Sequence, residues 1–228
     1  MNLELDQKVA LVTGSDRRTG EVIARTLESE GATVVYHGNS ELPEQNYAVA
    51  GDIASEQGCH QVLQQLAGLG LGVDILVNNF GSADFHRWQG AGEDKWLQMY
   101  QVNVLSAVRL IQGCTETMRE RGWGRVVNLG TIGSHQPNSI MPGYYAAKGA
   151  LATMAVSLMR ELSGTGITVN TVSPGLIRTD QVEAGYRKRA QKKGLPDDWP
   201  SVERMIVEKD FPNACQRIAE RQEVADLV

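Results

Sequence analysis

Residues 9–20 read VALVTGSDRRTG, four apolar residues that run straight into a polar turn containing Gly14 and Gly20. A short unbroken apolar run ending in turn residues is what a strand buried on both faces requires. Gly14 lets the turn bring its backbone close to a pyrophosphate. The helix expected over residues 20–30 offers N–H donors and the positive end of its dipole to the same charge. The alternation repeats outward along the chain. Apolar runs predict strands at 9–13, 33–36, 47–50, 74–78, 125–129 and 167–172, and helical spacing predicts further helices at 55–69, 93–121 and 143–163. Six such units joined by right-handed crossovers predict an α/β doubly wound parallel sheet in the order 3-2-1-4-5-6, with helices on both faces.

A chain of 228 residues is the length of one sizeable α/β domain, so residues 1–228 are read as a single unit. With 42% hydrophobic and 21% charged residues, disordered, collagen-like and coiled-coil classes are set aside. The formal net charge of -5 argues against a nucleic-acid surface, which needs clustered cations. Arg187, Lys188, Arg189, Lys192 and Lys193 form one basic run, but Asp197 and Asp198 follow it and a solvated helix face accounts for it. The first residues are too polar for a signal peptide, and no apolar run approaches the roughly 18 residues of a membrane span, so the expected location is cytoplasmic. Cys59, Cys114 and Cys215 are odd in number and widely spaced, which predicts unpaired thiols and no metal site. Residues 180–211 are polar and mostly helical, and in a doubly wound fold such a variable segment commonly closes over the site like a lid. The chain stops at Val228 inside the helix-like RQEVADLV, and a seventh strand is expected beyond it.

The most telling pair lies in the helix expected over 143–163. A spacing of four puts Tyr144 and Lys148 on one helix face, where an ammonium can favour the ionised phenol. An unperturbed tyrosine titrates near 10, so a phenol that moves protons near neutrality needs such help. Around this pair the chain resembles the short-chain dehydrogenase/reductase family over nearly its whole length. Thr13-Gly14…Gly20 matches the nucleotide loop, Asp52 the acidic residue after the third strand, and Asn78-Asn79-Phe80-Gly81 the Asn-Asn-Ala-Gly turn. Asn103 matches the helix asparagine, Thr131 stands in the place of the usual serine, and Ser173-Pro174-Gly175 follows the sixth strand. The look is closest to members resembling 3-oxoacyl-(acyl carrier protein) reductase.

That resemblance implies a Rossmann fold and hydride transfer between a nicotinamide and a ketone or secondary alcohol. Tyr144 is then the general acid or base, Thr131 positions the carbonyl oxygen, and Lys148 lowers the phenol's pKa and holds the nicotinamide ribose, with Asn103 supporting a water behind it. It implies a cofactor site built from Gly14, Ser15, Asp16, Arg17, Arg18, Gly20, His37, Asn39, Asp52, Ile53, Asn79 and Gly81 on the adenosine side. Pro174, Gly175, Ile177 and Thr179 border the nicotinamide. The second strand ends in Tyr36-His37-Gly38-Asn39-Ser40 without a carboxylate, and Arg17 offers a fork of donors, which favours NADP(H) over NAD(H). Three positions depart from the pattern: Arg18 in place of a glycine, Phe80 in place of a small residue, and Thr131 in place of serine. They motivate the alternative of a non-catalytic nucleotide-binding sensor or scaffold. His86 and His135 read as exposed loop residues, and Trp88, Trp96, Trp123 and Trp199 as packing residues, with Trp199 the one best placed to touch substrate. Relatives assemble as homotetramers or homodimers through the long helices, and Ala147, Ala150, Leu151 and Met154 suit either a helix contact or core packing.

Overall fold

The structure, a computed structural model, describes residues 3–228. Strands β1 (Val9–Val12), β2 (Thr33–Gly38), β3 (Ala48–Ala50), β4 (Ile75–Asn78), β5 (Gly124–Leu129) and β6 (Ile167–Val172) make one sheet in the order β3-β2-β1-β4-β5-β6. Every strand pair is parallel, with Val9 opposite Thr33 and Ala10 opposite Ile75. The expected doubly wound order is therefore the observed one.

Alternation along each strand builds two cores. Val9 and Leu11 point to one face with Val35, Leu76 and Val126. That face is covered by α2 (Glu56–Gly68), α4 (Ser106–Arg121) and α5 (Pro142–Glu161), through Val62, Leu110 and Leu151 among others. Ala10 and Val12 point to the opposite face with Val34, Tyr36 and Val77, beneath α1 (Arg18–Ser29) and the terminal α8 (Arg221–Leu227). Burial on both faces is why the central strands β1 and β4 read as nearly unbroken apolar runs, whereas the edge strand β6 exposes Thr168 and Asn170.

The helix expected over 93–121 is α3 (Glu93–Tyr100) and α4 joined by one π turn, Gln101–Leu105. The wider turn falls on Asn103, and π turns inside helices concentrate at functional sites. Residues 180–211 fold as α6 (Asp180–Lys192), α7 (Trp199–Met205) and a second π turn, around a separate small cluster that includes Ala190, Val202 and Ile206. Within the basic run Arg187 pairs with Glu183 and Arg189 with Asp210, as a solvated helix face predicts. Trp199 is a packing residue, as read: it lies against this cluster, and the Arg178 guanidinium is 4.5 Å over its ring. Cys59 and Cys114 are buried and Cys215 is exposed, all three unpaired. Among the described residues no helix is long and apolar enough to cross a membrane.

Candidate active site

β1 delivers the chain into the glycine turn, and side chains beneath the turn hold its shape. The buried Thr13 hydroxyl donates to the Val77 carbonyl at 3.2 Å and accepts from the Asn79 and Phe80 amides at 3.0 and 2.9 Å. The Asn79 amide nitrogen in turn donates to the carbonyls of Thr13 and Gly14 at 2.8 and 3.2 Å. Gly14 sits at φ 63, and a Cβ on Gly20 would run into the Gly14 carbonyl and the Asn79 side chain. No side chain caps α1 at Arg17, so the helix's leading N–H groups have no intrahelical acceptor and stay open to an anion.

Arg18 resolves one departure in an unexpected way. It takes φ 57, the left-handed conformation that favours glycine, and keeps its side chain exposed at the cleft. Two cavities, of about 210 and 690 Å³, share Arg17, Arg18, Asn39, Phe80 and Gly81 in their walls. Asp16 lines the first and Asp52 the second, where the Asp52 carboxylate accepts from the Ala54 amide at 3.1 Å. Open helix N–H groups, two exposed arginines and a polar far wall fit an anionic dinucleotide.

Three residues expected in that site lie beneath it instead. Ser15 is buried, donating to the Val12 carbonyl at 2.7 Å and accepting from the His37 amide at 2.9 Å. His37 is fully buried with both ring nitrogens on backbone partners. The Ile53 side chain is part of the first core. In each case the strand pleat or the tight turn directs the side chain inward, where packing and backbone polar groups claim it.

At the other end of the cleft Asn103, in its π turn, donates to the carbonyls of Ser82 and Met99 at 2.9 and 3.0 Å and accepts from the Ser82 amide at 3.2 Å. Lys148 is buried, and its ammonium donates to the Leu129 carbonyl at 2.7 Å. A Cβ on Gly81 would lie within contact of the Asn103 carboxamide oxygen and 3.0 Å from the Lys148 ammonium, so bare Gly81 is what both groups border. Asn103, Gly81 and Lys148 are thus brought together. Thr131 follows β5 and accepts from the Gly133 amide at 3.2 Å, while the Ile132 amide donates to the Pro174 carbonyl at 2.9 Å and ties this loop to the turn after β6. Gly175 opens onto a third cavity of about 610 Å³ walled also by Ile132, Gln136 and Leu176. Ile177 packs into the second core, and the Thr179 hydroxyl accepts from the Val182 amide at 3.2 Å to cap α6.

Tyr144 shares the inner face of α5 with Lys148, but among the described residues no hydrogen bond joins it to Thr131 or Lys148. Burial, with a smaller push from Tyr145, raises its pKa to about 12. Burial lowers that of Lys148 to about 8. The expectation that the ammonium lowers the phenol's pKa is not met in this arrangement. The phenol is desolvated and the ammonium is drawn to the Leu129 carbonyl.

His86 departs from the exposed reading: its ring is buried against Trp96, with Nδ1 3.5 Å from the Asp84 carboxylate. Sequence reasoning also missed the Leu129 carbonyl, because a main-chain acceptor leaves no residue-type signal. It passed over the Thr13 hydroxyl, although threonine directly before the glycine turn was a visible cue.

A nucleotide turn after β1 of a doubly wound sheet, with tyrosine and lysine on the helix after β5, defines a nicotinamide-dependent oxidoreductase. A profile of the short chain dehydrogenase family matches residues 8–190, and the chain belongs to that family of alcohol and ketone oxidoreductases. It is 32% identical over 243 aligned positions to the "uncharacterized oxidoreductase YvaG" of Bacillus subtilis (strain 168), covering 100% of this chain and 90% of the relative. It is also 32% identical over 191 residues to the 3-oxoacyl-[acyl-carrier-protein] reductase FabG of Vibrio cholerae, covering 80% and 78% of the two chains. Among solved structures, L-sorbose reductase from Gluconobacter frateurii, complexed with NADPH and L-sorbose, superposes with a TM-score of 0.90 at 28% identity, covering 100% of this chain and 90% of that one. A 3-oxoacyl (acyl-carrier-protein) reductase from Agrobacterium tumefaciens C58 with NADP bound gives a TM-score of 0.82 at 28% identity, covering 98% and 86%.

Proposed function

We propose that this chain is an NADP(H)-dependent carbonyl reductase in which Tyr144 is the proton donor. The observation that carries the reading is the grouping of Lys148, Asn103 and Gly81 beside Tyr144, at the end of a cleft whose other end holds Arg17, Arg18 and the open N-terminus of α1. Arg17 and Arg18 bind the phosphates, and the second strand ends without a carboxylate of its own at Gly38 and Asn39, although Asp16 packs against Gly38, paired with Arg17 at 3.4 Å. Asn79 acts chiefly by holding the loop. The bound cofactor supplies the hydride.

Tyr144 donates its phenolic proton to the substrate oxygen, and the Thr131 hydroxyl hydrogen-bonds and positions that oxygen. Burial keeps the phenol protonated at neutral pH, so the proton to be donated is in place. Lys148 stands one helical turn away on the same face and holds the nicotinamide ribose. Asn103, already satisfied on three sides by Ser82 and Met99, braces the wall behind it. Residues 180–211 close over the cavity beside Gly175, which admits a small carbonyl substrate. Homodimers or homotetramers form through α3 and α5. Leu97, Tyr100, Val156 and Met159 are the apolar residues left exposed there, whereas Ala147 and Leu151 are committed to the interior.

The test is NADPH consumption with a panel spanning a keto sugar and a 3-oxoacyl thioester, in the parent and in Tyr144→Phe. The variant is expected to bind NADPH as the parent does and to lose a factor of about 10² to 10⁴ in kcat. Equal turnover would remove Tyr144 from the chemistry. NADPH binding without consumption across the panel would favour the non-catalytic sensor.

A further inference from the structure

The fully buried His37 is a histidine that the proposed chemistry does not use, and its partners define its state. Nδ1 lies 2.9 Å from the Gly14 amide and Nε2 lies 3.0 Å from the Gly51 carbonyl. An N–H donor at Gly14 demands a lone pair on Nδ1, and a carbonyl at Gly51 demands a proton on Nε2, so the ring is the neutral Nε2–H tautomer. The imidazolium keeps the second bond and turns the first into two opposed N–H groups. Gly14 is held from the other side as well, because Asn79 grips its carbonyl at 3.2 Å. One side chain thus holds each peptide group of Gly14, joined on the Ser15 side by the bond from the Ser15 amide to the His37 carbonyl at 2.9 Å, and Gly14, at φ 63, aims the turn from Ser15 to Arg18 at the cleft.

We propose that His37 is a positioning residue for the dinucleotide, holding the glycine turn open for phosphate only while its ring is neutral, so that protonation of His37 uncouples the turn and releases the cofactor. Two charged groups face the ring: Asp16 from the turn after β1, itself 3.4 Å from the Arg17 guanidinium, and Asp52 from the end of β3. Both favour the cation, yet burial outweighs them and holds the ring below the ordinary histidine range. Phe80 meets the imidazole edge-on at 6.1 Å and helps keep water from it. This gives the aromatic in the Asn-Asn-Phe-Gly turn a physical task, which its size in the cleft wall had left unexplained.

The proposal rests on the dinucleotide site described above, and its test is built to fail separately from it. NADPH affinity is measured by isothermal titration from about pH 8 to about pH 4, through and below the ordinary histidine range, for the parent, His37→Asn and His37→Leu. The asparagine oxygen can accept from Gly14 where Nδ1 did, without titrating. The parent's Kd is expected to be level near neutrality and to rise by up to about tenfold for each unit of pH below the histidine's transition. The cofactor's own phosphate titrates equally with both proteins, so the difference from His37→Asn isolates the ring. His37→Asn should lose that extra pH dependence while binding within a few-fold of the parent at neutral pH. His37→Leu should bind about tenfold or more weakly at every pH, since it leaves a buried donor and a buried acceptor without partners. Nitrogen-15 shifts of the unliganded parent should show Nε2 protonated at neutral pH, a readout independent of cofactor.

Parallel pH profiles for the parent and His37→Asn, or an Nδ1–H tautomer, would overturn the inference while leaving the cofactor assignment standing. A parent that binds NADPH at no pH would sink both. Should His37→Leu not fold, the asparagine comparison and the tautomer still decide.

Discussion

Replacing Lys148 by methionine should make the protein more stable and inactive at once. The ammonium is buried, and burial alone lowers its pKa from the ordinary 10.5 to about 8. At about 1.4 kcal/mol per pH unit of displacement, keeping that group charged costs the folded state about 3 kcal/mol at neutral pH. The hydrogen bond to the Leu129 carbonyl returns part of this, about 1.5 to 3 kcal/mol for a charged donor. Methionine is of similar length and carries no charge, so Lys148→Met should be more stable by about 1 kcal/mol at pH 7.

The sign of the pH dependence is the sharper test. Between about pH 8 and 10.5 the unfolded lysine remains protonated while the folded one has released its proton, so the parent gains stability with rising pH and the variant does not. Over that window the variant's advantage should shrink by up to about 3 kcal/mol and reverse. Titration of Tyr144 is common to both proteins and cancels in the difference. Urea unfolding at both ends of the window measures it, with NADPH consumption as the activity check. A difference that stays constant from pH 7 to pH 10.5 would mean that the ammonium is not desolvated, and the geometry behind Gly81 would need another account.

Arg18→Gly should relieve a left-handed arginine, a gain of about 1–2 kcal/mol, offset by about 0.5–1 kcal/mol of glycine entropy. The melting temperature should therefore hardly move. NADPH affinity should fall about tenfold or more with NADH affinity unchanged, if the guanidinium reads the 2′-phosphate; equal losses for both cofactors would assign it to the pyrophosphate. Gly20→Ala drives a Cβ into the Gly14 carbonyl and the Asn79 amide. It should cost about 1–3 kcal/mol in unfolding experiments and weaken NADPH binding together with stability, and a variant as stable as the parent would show that the turn can yield.

The sheet was readable because its strands obey a one-dimensional rule. Residues 9–12 and 75–77 are apolar on both pleats, and the helices between them carry one apolar stripe, so periodicity finds the units and the right-handed crossover rule gives their order. The helix α5 was readable for the same reason, since a spacing of four fixes a shared face for Tyr144 and Lys148 whatever surrounds it. What the spacing could not supply was where the ammonium points. That is decided by a carbonyl of Leu129, nineteen residues away, and by how much water the fold excludes. The failure at Ser15, His37 and Ile53 has the same origin: adjacency to a glycine turn says that a residue is near the cofactor, while the pleat and the polar groups left unpaired beneath the turn decide on which side of the backbone it lies. His37 shows the consequence most clearly. Its alignment with the site suggested a residue that touches the cofactor. Its depth makes the cation the form the site must avoid, so the same residue moves from binding the dinucleotide to holding the main chain that binds it.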